Sequence, residues 1–135
     1  MDATETTADL HLTMANEDYL EAMVRIEIED GLDEGAGIRS VDVAQHLNVS
    51  KASVNKAITA LKAQGLVEQS HYGKVMLTPQ GREIGAAVWR RHRILRTFLT
   101  EELGVDFETA DVEACEMEHA LSEDTMARWI AYLEK

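Results

Sequence analysis

The stretch VDVAQHLNVSKASVNKAITALKAQGLVEQ, residues 41–69, decides the fold of this chain. Its first part is a short helix that Ser40 can cap, and its second part is a helix from Lys51 to Gln64 that Gly65 ends. A tight turn at residues 49–50 joins them. The inward positions recur every three or four residues, as one buried helix face requires. They are Val43, Ala44 and Leu47 in the first helix and Val54, Ile58 and Leu61 in the second.

The sequence on both sides extends this pattern. Upstream, Asn16 can cap a helix that runs to about Asp30, followed by a glycine-rich loop over residues 31–37. The inner face of that helix is predicted to carry Leu20, Met23, Val24 and Ile28. Downstream, residues 66–71 and 74–77 alternate like two strands of a hairpin. A helix, a helix-turn-helix and a hairpin together predict a winged helix-turn-helix over residues 16–78.

The chain beyond the hairpin is predicted to be helical. Thr78 caps a long helix that starts at Pro79 and runs to about Leu103, where Gly104 ends it. The caps predicted for the two shorter helices that follow are Asp106 and Ser122. The predicted fold class is therefore mainly α, with an N-terminal winged helix-turn-helix plus a C-terminal helical region at 79–135. The acidic, polar residues 1–15 are expected to form a flexible tail.

Charge is divided unevenly along the 135 residues, whose formal net charge is −12. Residues 39–96 contain ten Lys/Arg and three Asp/Glu, whereas the remainder contains three Lys/Arg and twenty-two Asp/Glu. Because nucleic-acid affinity depends on local basic groups that meet phosphates, the acidic whole does not exclude DNA binding. No apolar run is long enough to span a bilayer, so no membrane partner is expected, and the single cysteine excludes an internal disulfide framework. The expected location is the cytoplasm.

The outer face of the helix from Lys51 to Gln64 carries groups that suit DNA. Lysine can reach guanine or phosphate, asparagine can bind adenine with two hydrogen bonds, and a hairpin tip can contact phosphates. An ordinary exposed polar face is the alternative for any single residue. The predicted DNA-binding residues are Ser50, Lys51, Ala52, Ser53, Asn55, Lys56, Thr59, Tyr72 and Lys74.

Three potential metal ligands lie in DVEACEMEHALS, residues 111–122. Cys115, Glu118 and His119 are spaced i, i+3 and i+4, which places a thiolate, a carboxylate and an imidazole on one face of a helix. Such groups bind divalent metals. The alternatives are that Glu118 and His119 form a surface pair and that Cys115 is a small packing residue.

These motifs together resemble the DtxR/MntR family of metal-dependent transcriptional repressors. The matching stretches are EDYLEAM, the residue 41–69 stretch, LTPQGREIG, RRHRILRTFL and DVEACEMEHALS, in this order. The resemblance implies a homodimer that binds a palindromic operator. It also implies that residues 79–135 are a helical dimerisation and metal-binding region, and that a metal ion is held between the first helix, the long helix and the C-x-x-E-H helix. Since the chain ends after the last helix, without an SH3-like third domain, it is more similar to the short, manganese-responsive branch.

The resemblance also implies a set of metal ligands. Those that match the manganese branch are Asp18, Glu21, His92, Glu118 and His119. Cys115 instead matches the iron-responsive branch, and Arg96 stands where that branch has a glutamate of an ancillary site. The implied metal is Mn(II) first and Fe(II) next, with Zn(II) or Co(II) as further options. The alternatives are that Asp18 and Glu21 are plain acids near a helix N-terminus and that His92 is a polar surface residue.

The sequence thus predicts a metal-dependent DNA-binding regulator of metal-ion homeostasis genes, a repressor rather than an enzyme. The ion would order the dimer for operator binding, and its absence would leave the first helix displaced or mobile. The dimer interface is expected to use apolar residues such as Leu95, Phe98, Leu99 and Trp129. One alternative is a metal-independent winged-helix regulator that senses an organic ligand. Another is a small metallohydrolase that uses His92, Glu118 and His119.

Overall fold

The computed structural model describes residues 14–33 and 35–135. The chain forms two compact units, a first that extends to Ala86 and a second from Ala87 to Lys135. The predicted acidic tail lies outside the described residues except for Met14 and Ala15, which belong to the first helix. None of the described helices is both long and apolar enough to cross a membrane.

The described elements are mostly helical, as predicted. The helices are α1 (Met14–Asp30), α2 (Ser40–Leu47), α3 (Lys51–Ala63), α4 (Pro79–Thr97), α5 (Phe107–Ala120) and α6 (Glu123–Glu134). The strands β1 (Val67–Gln69) and β2 (Val75–Leu77) pair antiparallel, with Val67 opposite Leu77. Helices α2 and α3 with this hairpin form the predicted winged helix-turn-helix, although both strands are shorter than the alternation suggested.

Local hydrogen bonds explain the turn between α2 and α3. Asn48 adopts a left-handed conformation with φ of 55°, which ends α2. The Ser50 hydroxyl then accepts a hydrogen bond from the Ser53 backbone N–H at 3.1 Å, and so caps α3. Gly65, with φ of 75°, ends α3 where the sequence predicted. The predicted inward residues of α3 are confirmed, since Val54, Ile58 and Leu61 are all buried.

Three details of the first unit differ from the sequence-based expectation. Asn16 is not a cap, because α1 already includes Met14. Ser40 is the first residue of α2 and Arg39 holds the cap position; the Arg39 guanidinium bonds the Asp42 carboxylate at 3.0 Å. Ile28 is 62% exposed, while Ile26 is buried. The apolar residues of α1 recur at helical spacing as far as Ile28, which predicted its burial. The last turn of α1, however, extends beyond the core that buries the centre of the helix.

Two glycines let the start of α4 pack closely against the rest of the first unit. A Cβ at Gly81 would collide with the Leu66 carbonyl oxygen, and one at Gly85 would lie 2.6 Å from the Leu20 carbonyl oxygen of α1. Beside this crossing, the Arg82 guanidinium donates two hydrogen bonds to the Glu27 carboxylate, at 2.8 and 3.2 Å. A bidentate pair with little exposure fixes both the spacing and the orientation of α1 and the first turns of α4, within the first unit.

The second unit has its own core. That core is formed by Leu95, Leu99, Ala110, Ala114, Met126 and Ile130. The long helix is α-helical only to Thr97 and continues as a π-helical turn, Phe98–Glu102, rather than as α-helix to Leu103. Leu95 and Leu99 pack inside this core, so they do not supply the exposed dimer surface that the sequence suggested; Phe98 and Trp129 are only partly buried.

Both predicted caps in the second unit are confirmed. Asp106 accepts a hydrogen bond from the Thr109 backbone N–H at 3.1 Å, and Ser122 accepts one from Thr125 in the same way at 3.1 Å. Hydrogen bonds from the Thr109 side chain and backbone hold the pKa of the Asp106 carboxyl below its usual range. The helix that carries Cys115, Glu118 and His119 therefore begins at a defined residue, which sets the positions of these side chains.

Candidate metal centre and nucleic-acid interface

The outer face of α3 is exposed along its length. Every residue predicted there to contact DNA is exposed, while the intervening Val54, Ala57 and Ile58 are buried. The exposed set is Lys51, Ala52, Ser53, Asn55, Lys56 and Thr59, with Ser50 at the cap. This separation leaves the amine and amide groups of α3 accessible, as they must be for a helix that enters a DNA groove.

Some polar groups of this face already bond within the protein. The Ser50 hydroxyl donates to Ser53 Oγ at 3.0 Å, and the Thr59 hydroxyl donates to the Asn55 carbonyl oxygen at 2.9 Å. A hydroxyl oxygen can still accept, but it cannot donate the same proton to a phosphate. The Lys51 and Lys56 amines and the Asn55 amide are therefore the main donors that this face offers to the predicted DNA contact.

The hairpin presents its tip to solvent. Tyr72 is 89% exposed, and its ring meets the His71 ring edge to face with centroids 5.4 Å apart. Lys62 of α3 donates to the Gln69 side chain at 3.2 Å, and Gln69 donates to the Gly73 carbonyl at 3.1 Å. These two bonds connect α3 to the wing, so the two predicted DNA-contacting elements are held in a defined relation.

The first unit contributes two predicted metal ligands, Asp18 and Glu21, on α1. They lie one helical turn apart, and Leu20 between them is fully buried. Glu21 is only 6% exposed, and Asp18 is half-buried. These side chains are therefore not fully solvated, as they would be if Asp18 and Glu21 were only plain acids near a helix N-terminus.

The second unit contributes the other four predicted ligands. His92 of α4 and Glu118 of α5 are buried, with 3% and 7% exposure. Cys115 and His119 are half-buried, and a ring nitrogen of His119 lies within 4.8 Å of Cys115 Sγ. The i, i+4 spacing on α5 thus brings a thiol and an imidazole together, as the sequence predicted.

The surroundings of His92 include a residue that the sequence analysis missed. Asp111 Oδ1 lies 2.7 Å from His92 Nε2 and accepts a hydrogen bond from Arg96 at 2.9 Å. The Trp89 ring stacks on the imidazole, with centroids 5.6 Å apart and planes 23° from parallel. A signal was present in the sequence, because Asp111 precedes Cys115 by four residues and His119 by eight, on one face of α5.

The donor chemistry of these helices fits a divalent cation. Burying a carboxylate costs free energy unless positive charge or hydrogen bonds compensate it, and Glu21 and Glu118 are both buried. Carboxylate oxygen, imidazole nitrogen and thiolate sulfur are the ligands that first-row divalent metals prefer. A winged helix-turn-helix in the same chain as such donors defines a class: DNA-binding transcriptional regulators that respond to metal.

Comparison with known families places the chain within this class. Residues 11–75 match the iron dependent repressor N-terminal DNA binding domain, and residues 78–135 match the iron dependent repressor metal binding and dimerisation domain. The two matches together cover most of the chain, so this protein belongs to the iron-dependent repressor family, which includes the diphtheria toxin repressors. Members of this family are DNA-binding regulators and not enzymes.

Individual relatives agree with this assignment. An uncharacterized HTH-type transcriptional regulator of Methanocaldococcus jannaschii is 32% identical over 92% of this chain and 96% of its own length. The diphtheria toxin repressor of Corynebacterium glutamicum is 29% identical over 91% of this chain, which spans only 52% of that repressor. A manganese-dependent transcriptional repressor solved with manganese has a TM-score of 0.70 and 34% identity, over 88% of this chain and 52% of that one.

Proposed function

We propose that this protein is a metal-dependent transcriptional repressor of metal-ion homeostasis genes, in which Mn(II) or Fe(II) orders a homodimer for binding to a palindromic operator. The proposed metal ligands are Asp18, Glu21, His92, Cys115, Glu118 and His119. The single observation that carries the proposal is the burial of the ionisable groups of Glu21, His92 and Glu118 on three helices of a winged-helix regulator. Binding to operator DNA implies a cytoplasmic protein.

The coupling between metal and DNA follows from the position of α1. Helix α1 contacts both α2 and α3, and it is fixed to α4 by the Arg82–Glu27 pair. Asp18 and Glu21 therefore lie on the same helix that supports the recognition helix. When bound, a divalent ion supplies the positive charge that offsets the carboxylates gathered around it. The protein conformation that brings these carboxylates together is then favoured.

The recognition helices of a dimer must be correctly spaced. Half-sites of a palindrome are read about one helical turn, or ~34 Å, apart, so a small change in the position of α3 lowers affinity. By linkage, metal must raise operator affinity by the same factor that operator raises metal affinity. Lys51, Asn55 and Lys56 would contact base edges or phosphates, and Tyr72 and Lys74 would contact the backbone from the wing.

The metal preference follows from the mixed ligand set. Asp18, Glu21 and Glu118 offer hard oxygen donors that suit Mn(II), whereas Cys115 offers a soft sulfur that favours Fe(II), Co(II) or Zn(II). The oxygen donors outnumber the sulfur, and the relative solved with manganese is 34% identical to this chain. We therefore place Mn(II) first and Fe(II) second.

Operator binding against a metal series tests this proposal. Under anaerobic conditions, a gel-shift or anisotropy titration should show weak binding in chelator and a much tighter complex after addition of Mn(II) or Fe(II). Size exclusion in both states reports whether the dimer itself depends on metal. Equal operator affinity with and without chelator would instead favour a metal-independent winged-helix regulator that senses an organic ligand.

A further inference from the structure

The His92 ring is held on two sides by residues to which no role has been assigned. Its Nε2 lies 2.7 Å from Asp111 Oδ1, and its face stacks on Trp89. With 3% exposure, the ring has little freedom to turn. All of these residues belong to α4 and α5 of the second unit, so their arrangement is internal to that unit.

The same carboxylate oxygen also binds Arg96. The Arg96 guanidinium donates to Asp111 Oδ1 at 2.9 Å. It also lies between two aromatic rings, 5.3 Å from the centroid of Trp89 and 4.6 Å from that of Phe107. A guanidinium is always protonated and can only donate. Asp111 Oδ1 accepts from Arg96 and also lies 2.7 Å from His92 Nε2. This is the geometry of one acceptor oxygen shared by two donors, with His92 Nε2–H as the second donor.

We infer that Asp111, held by Arg96, is a positioning residue that fixes His92 with its proton on Nε2 and its lone pair on Nδ1. This inference rests on the proposed function, because it assigns Nδ1 as the atom through which His92 binds the metal ion. A carboxylate behind a ligating histidine selects the tautomer, fixes the ring plane and raises the basicity of the donor nitrogen. Arg96 keeps Asp111 in this supporting position.

The tautomer of His92 tests the inference without any metal. Long-range ¹⁵N–¹H correlation spectra of the metal-free protein, with the His92 signals assigned from a His92→Gln variant, report which nitrogen carries the proton. The Nε2–H tautomer is expected in the wild type, and loss of that preference in Asp111→Ala. A residue that only supports the fold would not change this signature. An Nδ1–H tautomer or a doubly protonated ring in the wild type would overturn the inference.

Metal affinity supplies the second readout. Competition titration with Mn(II) should show about a 10–100-fold weaker Kd for Asp111→Ala, the usual cost of losing such a supporting partner. Asp111→Asn, whose amide oxygen can still accept from Nε2–H, should recover part of that loss. Asp124→Ala is the matched control, because it removes an acid that pairs with Arg128 on the exposed side of the same unit, and it should leave the Kd unchanged.

The outcomes separate the two proposals. If the wild type binds no Mn(II) or Fe(II), the proposed function fails and this inference with it. If the wild type binds Mn(II) and Asp111→Ala binds it within about twofold while remaining folded, the inference alone fails. If Asp111→Ala does not fold, Asp111→Asn and the wild-type tautomer decide, because neither requires the alanine variant.

Discussion

The close crossing at the start of α4 makes an unusual prediction for two glycine substitutions. Replacement of a helical glycine by alanine ordinarily stabilises a protein by up to about 1 kcal/mol, because alanine restricts the unfolded chain and favours helix. Here we expect Gly81→Ala and Gly85→Ala to destabilise instead. At both positions an added Cβ would meet the backbone of a neighbouring segment, which cannot rotate away as a side chain does.

The size of the expected loss in unfolding free energy follows from the contacts that each added Cβ would make. At Gly85, the Leu20 carbonyl oxygen must retreat by about 0.8 Å, from 2.6 Å to the 3.4 Å of an ordinary contact, and Val24 Cγ2 lies only 2.8 Å away. Overpacking of this kind costs about 1–3 kcal/mol, so a net loss of about 1 kcal/mol remains after the helix gain. Gly81→Ala should cost more, about 2–3 kcal/mol, because the Leu66 oxygen that it displaces also accepts a hydrogen bond from the Thr78 backbone.

Urea unfolding followed by far-UV circular dichroism measures both free energies. Ala86→Gly, at an exposed position of the same helix, is the matched control, and it should lose about 1 kcal/mol through helix propensity alone. Because Leu20 lies between Asp18 and Glu21, Gly85→Ala should also weaken the metal response by displacing α1. Two alanine variants at least as stable as the wild type would refute the reasoning. A larger loss of stability for Gly85→Ala than for Gly81→Ala would refute its geometric basis.

Three further predictions concern DNA and metal. Lys56→Ala should weaken operator binding and reduce the slope of log affinity against log salt by roughly 1, whereas Lys135→Ala, a lysine of the second unit outside the predicted DNA-binding set, should leave the slope unchanged; equal slopes for the two variants would remove Lys56 from the interface. Glu118→Ala and His119→Ala should each abolish the metal response in a gel-shift but keep the helical circular dichroism spectrum of the wild type, and unfolded variants would show that these residues are structural. Cys115→Glu should sharpen the preference for Mn(II) over Fe(II), Co(II) and Zn(II) in direct metal titrations, because it removes the soft donor; an unchanged order of metals would identify Cys115 as a packing residue.

Predictions from the sequence succeeded where a single element carries the signal. The caps at Thr78, Asp106 and Ser122 were correct because a cap depends on one side chain and the backbone three residues later. The caps predicted at Asn16 and Ser40 were wrong, because both residues lie inside their helices. Predictions of burial failed where packing against other elements determines whether a side chain is exposed. Ile28 continues the apolar spacing of α1, yet nothing in the sequence states where the core beneath α1 ends. Leu95 and Leu99 were assigned to a dimer surface, but α5 and α6 cover them within the chain.

By itself, the sequence determined the winged helix-turn-helix, the exposed face of α3 and the i, i+3, i+4 donors of α5, because local periodicity and spacing specify each of them. Only the tertiary structure decided which ionisable groups are buried, and that Asp111 and Arg96 of different helices meet at His92. It also decided that Gly81 and Gly85 allow two backbones to touch. Such contacts join residues far apart in the chain, and their free energies depend on distances that spacing along one helix does not encode.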